Sequence, residues 1–525
     1  MAAGSPPTAI GDCAPHSPEL SPPAATATRL PGDNTSLRNP IVPRSRALAV
    51  LPLLLAFGCG TPNVNGVAGT SPAPNTAWTP PKHQDTSATP HAASPMALPP
   101  DLQQRVNDLT LSDVVDIALR NNPSTQISWQ NARAAAAAYG SAKGQYYPTL
   151  DLGISATRTR SANTSGGGTT TTTTGGPTAT LTWLLFDIGG RSGSVTNARE
   201  SLLAADWTHN GVLQDVVLQV QQAYFNYVAN RALLDAQRLT QKEAQTNLEV
   251  TEARHGQGLA TIADVLQAKT QLSQATLTAE TTEGAIQITR GALANAMGLP
   301  ANLPYDIAAF PPLRVGPVTD SVDTLIDHAM RARPDLAASR AEAEAAAAHV
   351  SEVRAARLPS LFVAATGGHS YLNTLVSPNN VYTVNLGLKI PFFSGGARYY
   401  DQKQAEAQAQ AAVARAEQTR QTVVLEVFAS YYQLQTSARR VRTADDLLAS
   451  ATQSDEVALG RYKAGVGSVL DLLTAQSALA DARAQAIEAR WTWRTALSQL
   501  AHDIGVLDVR GESPLRVTAD TTPQH

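Results

Sequence analysis

The stretches RHGQGLATIADVL, residues 254–266, and RYKAGVGSVLDLL, residues 461–473, carry one pattern twice, 207 positions apart. In each stretch a glycine follows the first arginine by four positions, and an aspartate follows it by ten. Both lie between long segments that are rich in helix-forming residues. A glycine between two helical segments marks a reversal of the chain. The pattern therefore predicts two helical hairpins of the same design.

The repeat extends far beyond the two hairpins. Asn122-Pro123 matches Arg333-Pro334, and WLLFDIG at 183–189 matches IPFFSGG at 390–396. The separation is 211 positions early in each unit and 207 later, which a single length change of four residues explains. The body therefore consists of two copies of one repeat unit. The predicted segments are an N-terminal extension with signal peptide (1–58), a tether (59–105), two repeats (106–310 and 311–510) and a tail (511–525).

Each repeat is predicted to contain one very long helix and a return helix. From Ala397 to Ala464 the sequence has no proline and a single glycine, Gly460. At a rise of 1.5 Å per residue this run gives a helix of about 100 Å, longer than a small domain is wide. Apolar residues recur along it every seven positions, which is the spacing of a coiled-coil seam. They are Val427, Leu434, Val441 and Leu448, with Val220, Tyr227 and Leu234 as counterparts in the first repeat.

Two segments in each repeat alternate between apolar and polar residues, as strands with one apolar face do. We expect four strands of about nine residues, a length that suits a tilted strand crossing a bilayer. The polar stretches 165–176 and 373–380 are then the hairpin loops. The alternative is a soluble hairpin with one covered face. The clearest alternating residues are Leu150, Leu152, Ile154, Ala179, Leu181, Trp183, Tyr382, Val384, Leu386 and Leu388.

Four strands are too few to close a barrel, for which about eight are needed. Open strand edges in lipid leave backbone groups without hydrogen-bond partners. Strands in a membrane would therefore require several chains to share one barrel, and three chains would supply twelve strands. The sequence has no apolar run of about 18 residues, so it predicts no transmembrane helix.

Composition and motif content exclude several classes of function. The net charge is −3, without the basic excess that nucleic-acid binding needs. Two cysteines, Cys13 and Cys59, cannot form a disulfide framework. The ten histidines include no HExxH motif and no close pair for a metal, and no nucleophile motif is present. We therefore expect no enzyme activity, no metal and no cofactor.

The front of the chain has the pattern of a secretory signal. Arg44 and Arg46 precede the apolar run 47–57, and Gly58 and Cys59 follow it. The segment LAFGC at 55–59 resembles a bacterial lipobox, in which the cysteine becomes the lipidated first residue. Ala56 stands where a large aliphatic residue is usual, and ordinary signal cleavage is the alternative. Residues 60–100 are rich in Pro, Ser and Thr and predict an extended tether.

Taken together, residues 106–508 resemble the TolC-type outer-membrane efflux channels, in their lipoprotein branch. The resemblance rests on the doubled architecture, the prolines that begin helices, the segments at 183–189 and 390–396, and the two hairpin turns. It implies a homotrimer whose α+β fold joins a twelve-stranded β-barrel to a long α-helical coiled-coil barrel. It also implies an exit channel in the bacterial outer membrane that extends into the periplasm. Its partners would be outer-membrane lipid, a periplasmic adaptor protein and an inner-membrane pump.

The resemblance also implies roles for residues at the two tips. Arg254, Gly258, Asp264, Arg461 and Gly465 match adaptor-docking tips. A second group matches the periplasmic gate: Asp471 matches an aspartate that narrows the entrance, and Tyr462 matches a tyrosine of the closed-state network. Two positions depart from the family, because Thr474 stands at a second acidic position and Gly467 stands where an arginine is expected.

Two other functions compete with an efflux channel. A channel for a type I protein secretion system would have the same architecture, so the chain alone does not separate the two. A structural coiled-coil surface protein belongs to a different class, and it would need neither strands nor duplicated hairpins.

Overall fold

The structure is a computed structural model that describes residues 70–71, 73–79, 108–162, 168–308, 315–316, 320–372 and 375–507. Cys59, the predicted signal segment, most of the predicted tether and the tail at 511–525 lie outside the described residues.

The described residues of each repeat contain four helices, and the predicted duplication is confirmed element by element. The third helix of each repeat has 67 residues and spans about 100 Å, and the fourth has 35 residues. Asn122 and Arg333 each come directly before a proline that begins a helix, where the missing N–H costs nothing. The helices are α1 (Leu111–Asn121), α2 (Pro123–Gly144), α3 (Gly190–Gly256), α4 (Ile262–Ala296), α5 (Val322–Ala332), α6 (Pro334–Ala355), α7 (Ala397–Lys463) and α8 (Val469–Asp503).

The strands form one antiparallel sheet in the order β1-β2-β3-β4. They have 13 to 19 residues, so the expected length of about nine was too short. Residues 169–176 were expected in a loop, but they continue β2 and pair with 155–162. Most of them are threonines, whose β-branched side chains favour an extended backbone. The strands are β1 (Thr149–Ala162), β2 (Thr169–Asp187), β3 (Ser360–Leu372) and β4 (Leu375–Lys389).

The edge strands β1 and β4 expose their apolar side chains. Ile154 on β1 is 87% exposed and Tyr382 on β4 is 84% exposed, and their apolar neighbours at alternate positions are exposed as well. Of the helices in the described part of the chain, none combines the length and the apolarity needed to cross a membrane.

The hydrophobic core follows the predicted seams. Val220, Tyr227 and Leu234 of α3 are buried, and so are Val427, Leu434 and Val441 of α7. Val220 and Tyr227 pack in a cluster with α1 and α4, and Val427, Leu434 and Val441 pack in a second cluster with α5 and α8, with the predicted Leu448 partly buried at its edge. The prediction of a heptad seam is therefore confirmed.

The residue before each helix-starting proline also donates a hydrogen bond to the last residue of the return helix. The Asn122 amide donates to the Ala296 carbonyl at 3.1 Å, and the Arg333 guanidinium donates to the Asp503 carbonyl at 3.3 Å. Ala296 and Asp503 are the last residues of α4 and α8. Asn122 and Arg333 therefore donate to equivalent carbonyl groups in the two repeats, which the C-terminal end of a helix leaves without a partner within the helix.

Part of the expected tether is bound to the helices. Trp78 is only 5% exposed and packs edge-on against Trp207 of α3, with ring centres 5.4 Å apart. Residues 70–71 and 73–79 therefore differ from a free tether. The predominance of Pro, Ser and Thr led to the prediction of a tether, although Trp78 within it packs against α3.

Candidate functional site at the helical tips

The two hairpin turns are built by capping boxes. Thr261 caps the start of α4, where the Asp264 carboxylate accepts the Thr261 backbone N–H at 2.8 Å and the Asp264 backbone N–H donates to the Thr261 hydroxyl at 3.2 Å. Ser468 and Asp471 make the same pair of bonds at the start of α8, at 3.3 and 3.1 Å. Each box satisfies two backbone donors that a helix start leaves free. Both aspartates therefore have a structural role, and sequence reasoning missed the Ser/Thr-x-x-Asp signal.

Glycines make the reversal before each box. Gly258 and Gly465 both have φ of +75°, in the left-handed region that a side chain disfavours. An added Cβ at either position would meet no atom within 4 Å, so the need for glycine comes from the backbone conformation and not from crowding. This agrees with the prediction that these glycines allow a tight turn.

The two tips contact each other through Arg254 and Tyr462. The Arg254 guanidinium lies 4.3 Å from the centre of the Tyr462 ring and donates to the Tyr462 carbonyl at 3.1 Å. The Tyr462 hydroxyl lies 3.4 Å from the hydroxyl of Thr251, and the tyrosine is 7% exposed. Two residues predicted for different roles are thus brought together. Arg461, the repeat equivalent of Arg254, lies exposed at the second tip.

Further polar pairs join α3 to α8 above the tips. Arg483 of α8 donates two hydrogen bonds to the carboxylate of Glu243 of α3, at 2.9 and 3.1 Å. The amide of Asn247 donates to that of Gln476 in a buried contact. Neither pair was predicted, because polar residues facing a helical seam look like solvated residues in the sequence. They fix the second hairpin against the long helix of the first.

The tips differ in what covers their apolar residues. Val469 and Leu473 of the second tip are 6% and 8% exposed, and they pack with Leu472 and Tyr462. Their equivalents in the first tip, Ile262 and Leu266, are 58% and 56% exposed. The repeated sequences are alike, but the second tip packs against α3, the long helix of the first hairpin. The described residues of one chain place no helix of the second hairpin over Ile262 and Leu266 in the same way. The first tip therefore presents an uncovered apolar surface.

The site at the tips is held together by contacts that are individually weak. Its contacts are a cation–π pair, single hydrogen bonds and small apolar clusters, which two packed states can exchange. Asp471 lies exposed at the first turn of α8. Among the described residues, no group of three or more His, Cys, Asp or Glu lies close enough to hold a metal ion.

Comparisons with known proteins agree with this architecture. The family model described as outer membrane efflux protein matches residues 114–299 and 325–506, one stretch within each repeat. Protein CyaE of Bordetella pertussis is 30% identical over 447 residues, which cover 82% of this chain and 93% of CyaE. The pyoverdine export outer membrane protein OpmQ of Pseudomonas putida is 26% identical over 495 residues, or 90% and 99% of the two chains.

A solved structure shows the same fold. The outer membrane protein VceC of Vibrio cholerae aligns with a TM-score of 0.67 at 22% identity, over 77% of this chain and 97% of VceC. In its described residues the chain therefore has two helical hairpins of one design and a four-stranded sheet, a fold that it shares with VceC. It belongs to the outer membrane efflux protein family. Its function is that of an outer-membrane exit channel for efflux.

Proposed function

We propose that three copies of this chain form the exit channel of a tripartite efflux system, which passively conducts substrates received from an inner-membrane pump and a periplasmic adaptor. The three sheets would form one twelve-stranded barrel in the outer membrane. The long helices would continue it as a tunnel through the periplasm.

The open edges of the sheet are the observation that carries this proposal. Among the strands that the structure describes, β1 and β4 each have one side without a partner strand, and both expose apolar side chains. Lipid can cover those side chains, but it cannot satisfy the free N–H and C=O groups of an edge. Pairing β4 of one copy with β1 of the next satisfies them all when the ring closes. A purely coiled-coil surface protein would not need this sheet.

The test is the mass of the assembly in detergent. Native mass spectrometry should show three chains, and cross-linking between β1 and β4 should give a ladder that ends at the trimer. A stable monomer with intact strands would contradict the shared barrel.

The tips are proposed to dock the adaptor and to close the tunnel. The positive-φ glycines Gly258 and Gly465 give the tips the tight shape that a partner hairpin needs. Asp471 would line the entrance in three copies. Like charges about 4 Å apart repel by roughly 4 kcal/mol at an effective dielectric near 20, so such a ring favours cations and resists closure.

Cys59 is proposed to carry the lipid that anchors the mature N-terminus in the outer membrane. The lipobox-like segment before it supports this assignment. Mass spectrometry of the mature N-terminus should show an acylated cysteine as the first residue. An unmodified residue at the N-terminus would refute the anchor.

The substrates are proposed to be small molecules. The name of OpmQ states that it exports pyoverdine, and the match to it covers 90% of this chain. Drug and metabolite accumulation in a deletion strain, restored by the cloned gene, would test this. Unchanged accumulation together with a missing secreted protein would favour the protein-secretion alternative.

A further inference from the structure

One end of the sheet carries positive charge and no acidic residue. The helices join the sheet at its other end, where α2 precedes β1 and α3 follows β2. In the proposed channel the charged end therefore faces the cell exterior. Arg158 and Arg160 are the only Asp, Glu, Lys or Arg residues between positions 152 and 186, and the stretch 358–388 contains none. Two cations per chain thus lie together in a protein whose net charge is −3.

Both arginines lie on the apolar face of the sheet. Side chains alternate along a strand, so Arg158 and Arg160 of β1 share a face with Ile154. Both positions are exposed. The ladder pairs Arg158 with Thr173 of β2, and the Arg160 guanidinium donates to the Thr169 hydroxyl at 3.2 Å. The guanidinium groups therefore continue the surface that lipid would cover.

Aromatic side chains mark the two edges of the apolar band on this face. Trp183 of β2 lies at the helix end of the sheet, where its indole N–H donates to the Tyr146 carbonyl at 3.0 Å. Tyr371 of β3 is 57% exposed and pairs with Gly175, eight residues before Trp183 on β2. At about 3.3 Å per residue and a strand tilt of about 40°, the two aromatic side chains differ in height by roughly 20 Å. Tryptophan and tyrosine favour the interfaces of a bilayer, so the band between them fits its hydrocarbon core.

The arginines lie just beyond this band. Thr173, the partner of Arg158, is ten residues from Trp183 on β2, which corresponds to a height of roughly 25 Å, and Arg160 lies about 5 Å higher. The apolar band of a membrane barrel is itself about 25 Å tall. Both guanidinium groups therefore reach the level of the lipid headgroups in the outer leaflet.

The chemistry of the two side chains indicates the ligand. A guanidinium binds phosphate through two parallel hydrogen bonds. On one face of a strand, residues two positions apart have Cα atoms roughly 7 Å apart, so Arg158 and Arg160 can contact the phosphates of a single headgroup. In the proposed trimer β4 of the next copy lies beside β1, and its outer part also lacks acidic residues. A lipid can in addition place its acyl chains against Ile154, which a free anion cannot do.

We propose that Arg158 and Arg160 form a binding site for a phosphorylated lipid of the outer leaflet, on the lipid-facing side of β1. Each trimer would carry three such sites, one beside each junction between β1 and the β4 of the next copy. This inference rests on the proposed trimer and on the placement of its sheet in the membrane.

Native mass spectrometry of the full-length trimer in detergent tests the site, with short-chain lipopolysaccharide as the phosphorylated probe. Arg158→Gln together with Arg160→Gln should weaken binding at least about tenfold, since the loss of one charge-assisted hydrogen bond already has about this effect. Arg439→Gln together with Arg440→Gln removes the same charge from exposed positions of α7 and should leave binding unchanged. Equal binding by the two double variants, with both trimers intact, would overturn the site.

The choice of probe separates the possible sources of the phosphate. Dephosphorylated lipopolysaccharide should bind the wild-type trimer several-fold less tightly, and undiminished binding would show that acyl chains alone are recognised. Inorganic phosphate in excess, at an ionic strength kept constant with chloride, should displace little of the probe. Complete displacement would assign the arginines to a free anion and overturn the lipid site.

The same spectra separate a failure of this site from a failure of the proposed channel. A wild-type trimer that retains no lipopolysaccharide would refute the site alone, whereas a monomer would refute the shared barrel and the site together. Arg158→Lys together with Arg160→Lys should assemble as the wild type does. It should restore part of the binding, because lysine keeps the charge and loses the paired hydrogen bonds.

Discussion

The guanidinium of Arg254 stacks on the ring of Tyr462 at 4.3 Å, so the end of the first long helix holds the end of the second. The same guanidinium donates to the carbonyls of Tyr462 and Lys463, at 3.1 and 3.4 Å. One side chain thus fastens the tips of two hairpins that are separate in sequence.

Arg254→Ala should loosen the second tip. Loss of a partly buried cation–π contact and its hydrogen bonds removes about 1–2 kcal/mol, which shifts a closed–open balance by roughly 5–30-fold. Single-channel recordings in planar bilayers should show a larger open fraction. Arg461→Ala, at the exposed equivalent position, should leave the recordings unchanged. An unaltered open fraction in Arg254→Ala would show that this contact does not hold the closed state.

Asp471→Asn should weaken cation selectivity and relieve block by divalent cations. Asp264→Asn is the matched control, because both carboxylates occupy the same position in a capping box. Each substitution should cost a similar, small amount of stability, about 0.3–1 kcal/mol. Reversal potentials in salt gradients separate the variants. Equal and negligible effects on selectivity would leave Asp471 with its capping role only.

Gly465→Val should abolish efflux and leave the trimer in the membrane. A β-branched residue at φ of +75° strains the turn by at least about 1–2 kcal/mol and spoils the shape of the tip. Drug susceptibility and trimer migration on unheated gels would be measured together. Gly460→Ala, five residues earlier within α7, should retain activity because its backbone is helical. Full drug resistance with Gly465→Val would argue against docking at this tip.

Asp206→Asn should stabilise the protein at neutral pH. Asp206 of α3 is completely buried, neither of its carboxylate oxygens has a hydrogen-bond partner among the described residues, and burial raises its pKa from 3.8 to about 7. A raised carboxyl pKa costs stability above pH 7, and that cost disappears as the pH falls toward 3.8. The gain should be about 2–4 kcal/mol at pH 7.5 and less than half of that at pH 5.

Melting temperatures in detergent at the two pH values would measure this effect. Asp235→Asn, at an exposed position of the same helix, should change them little at either pH. An equal gain for Asp206→Asn at both pH values would show that ionisation is not the cause.

Much of the fold could be predicted from the sequence, because its periodicities are long. The seven-residue spacing of Val427, Leu434 and Val441 was enough to identify a buried seam. The length of β2 was underestimated, since a run of threonines resembles a loop in composition and behaves as a strand when a partner strand lies beside it. The docking of Trp78 on α3 was missed because it depends on hydrogen bonds to Asn210, a residue 132 positions away.

The tips show a different limit of prediction. The two repeats match at Arg254 and Arg461, yet in the described part of the chain Arg254 packs on the other hairpin while Arg461 is exposed. A repeat in sequence predicts equal local structure. It does not predict whether the two copies of an element pack against the same neighbouring helix, because that depends on the order of the elements in the chain.

In the proposed trimer, each copy would meet the next through two different surfaces, because the interfaces of a cyclic trimer are heterologous. The unequal covering of the tips indicates one of these surfaces, since Ile262 and Leu266 are exposed in the single chain and would be covered by the next copy. A trimer assembled from two intact chains and one with Ile262→Asp would be weakened at one junction of the three. Co-expression of the two genes should therefore give a leak that grows with the fraction of altered chains, and a single altered copy should not inactivate the whole assembly.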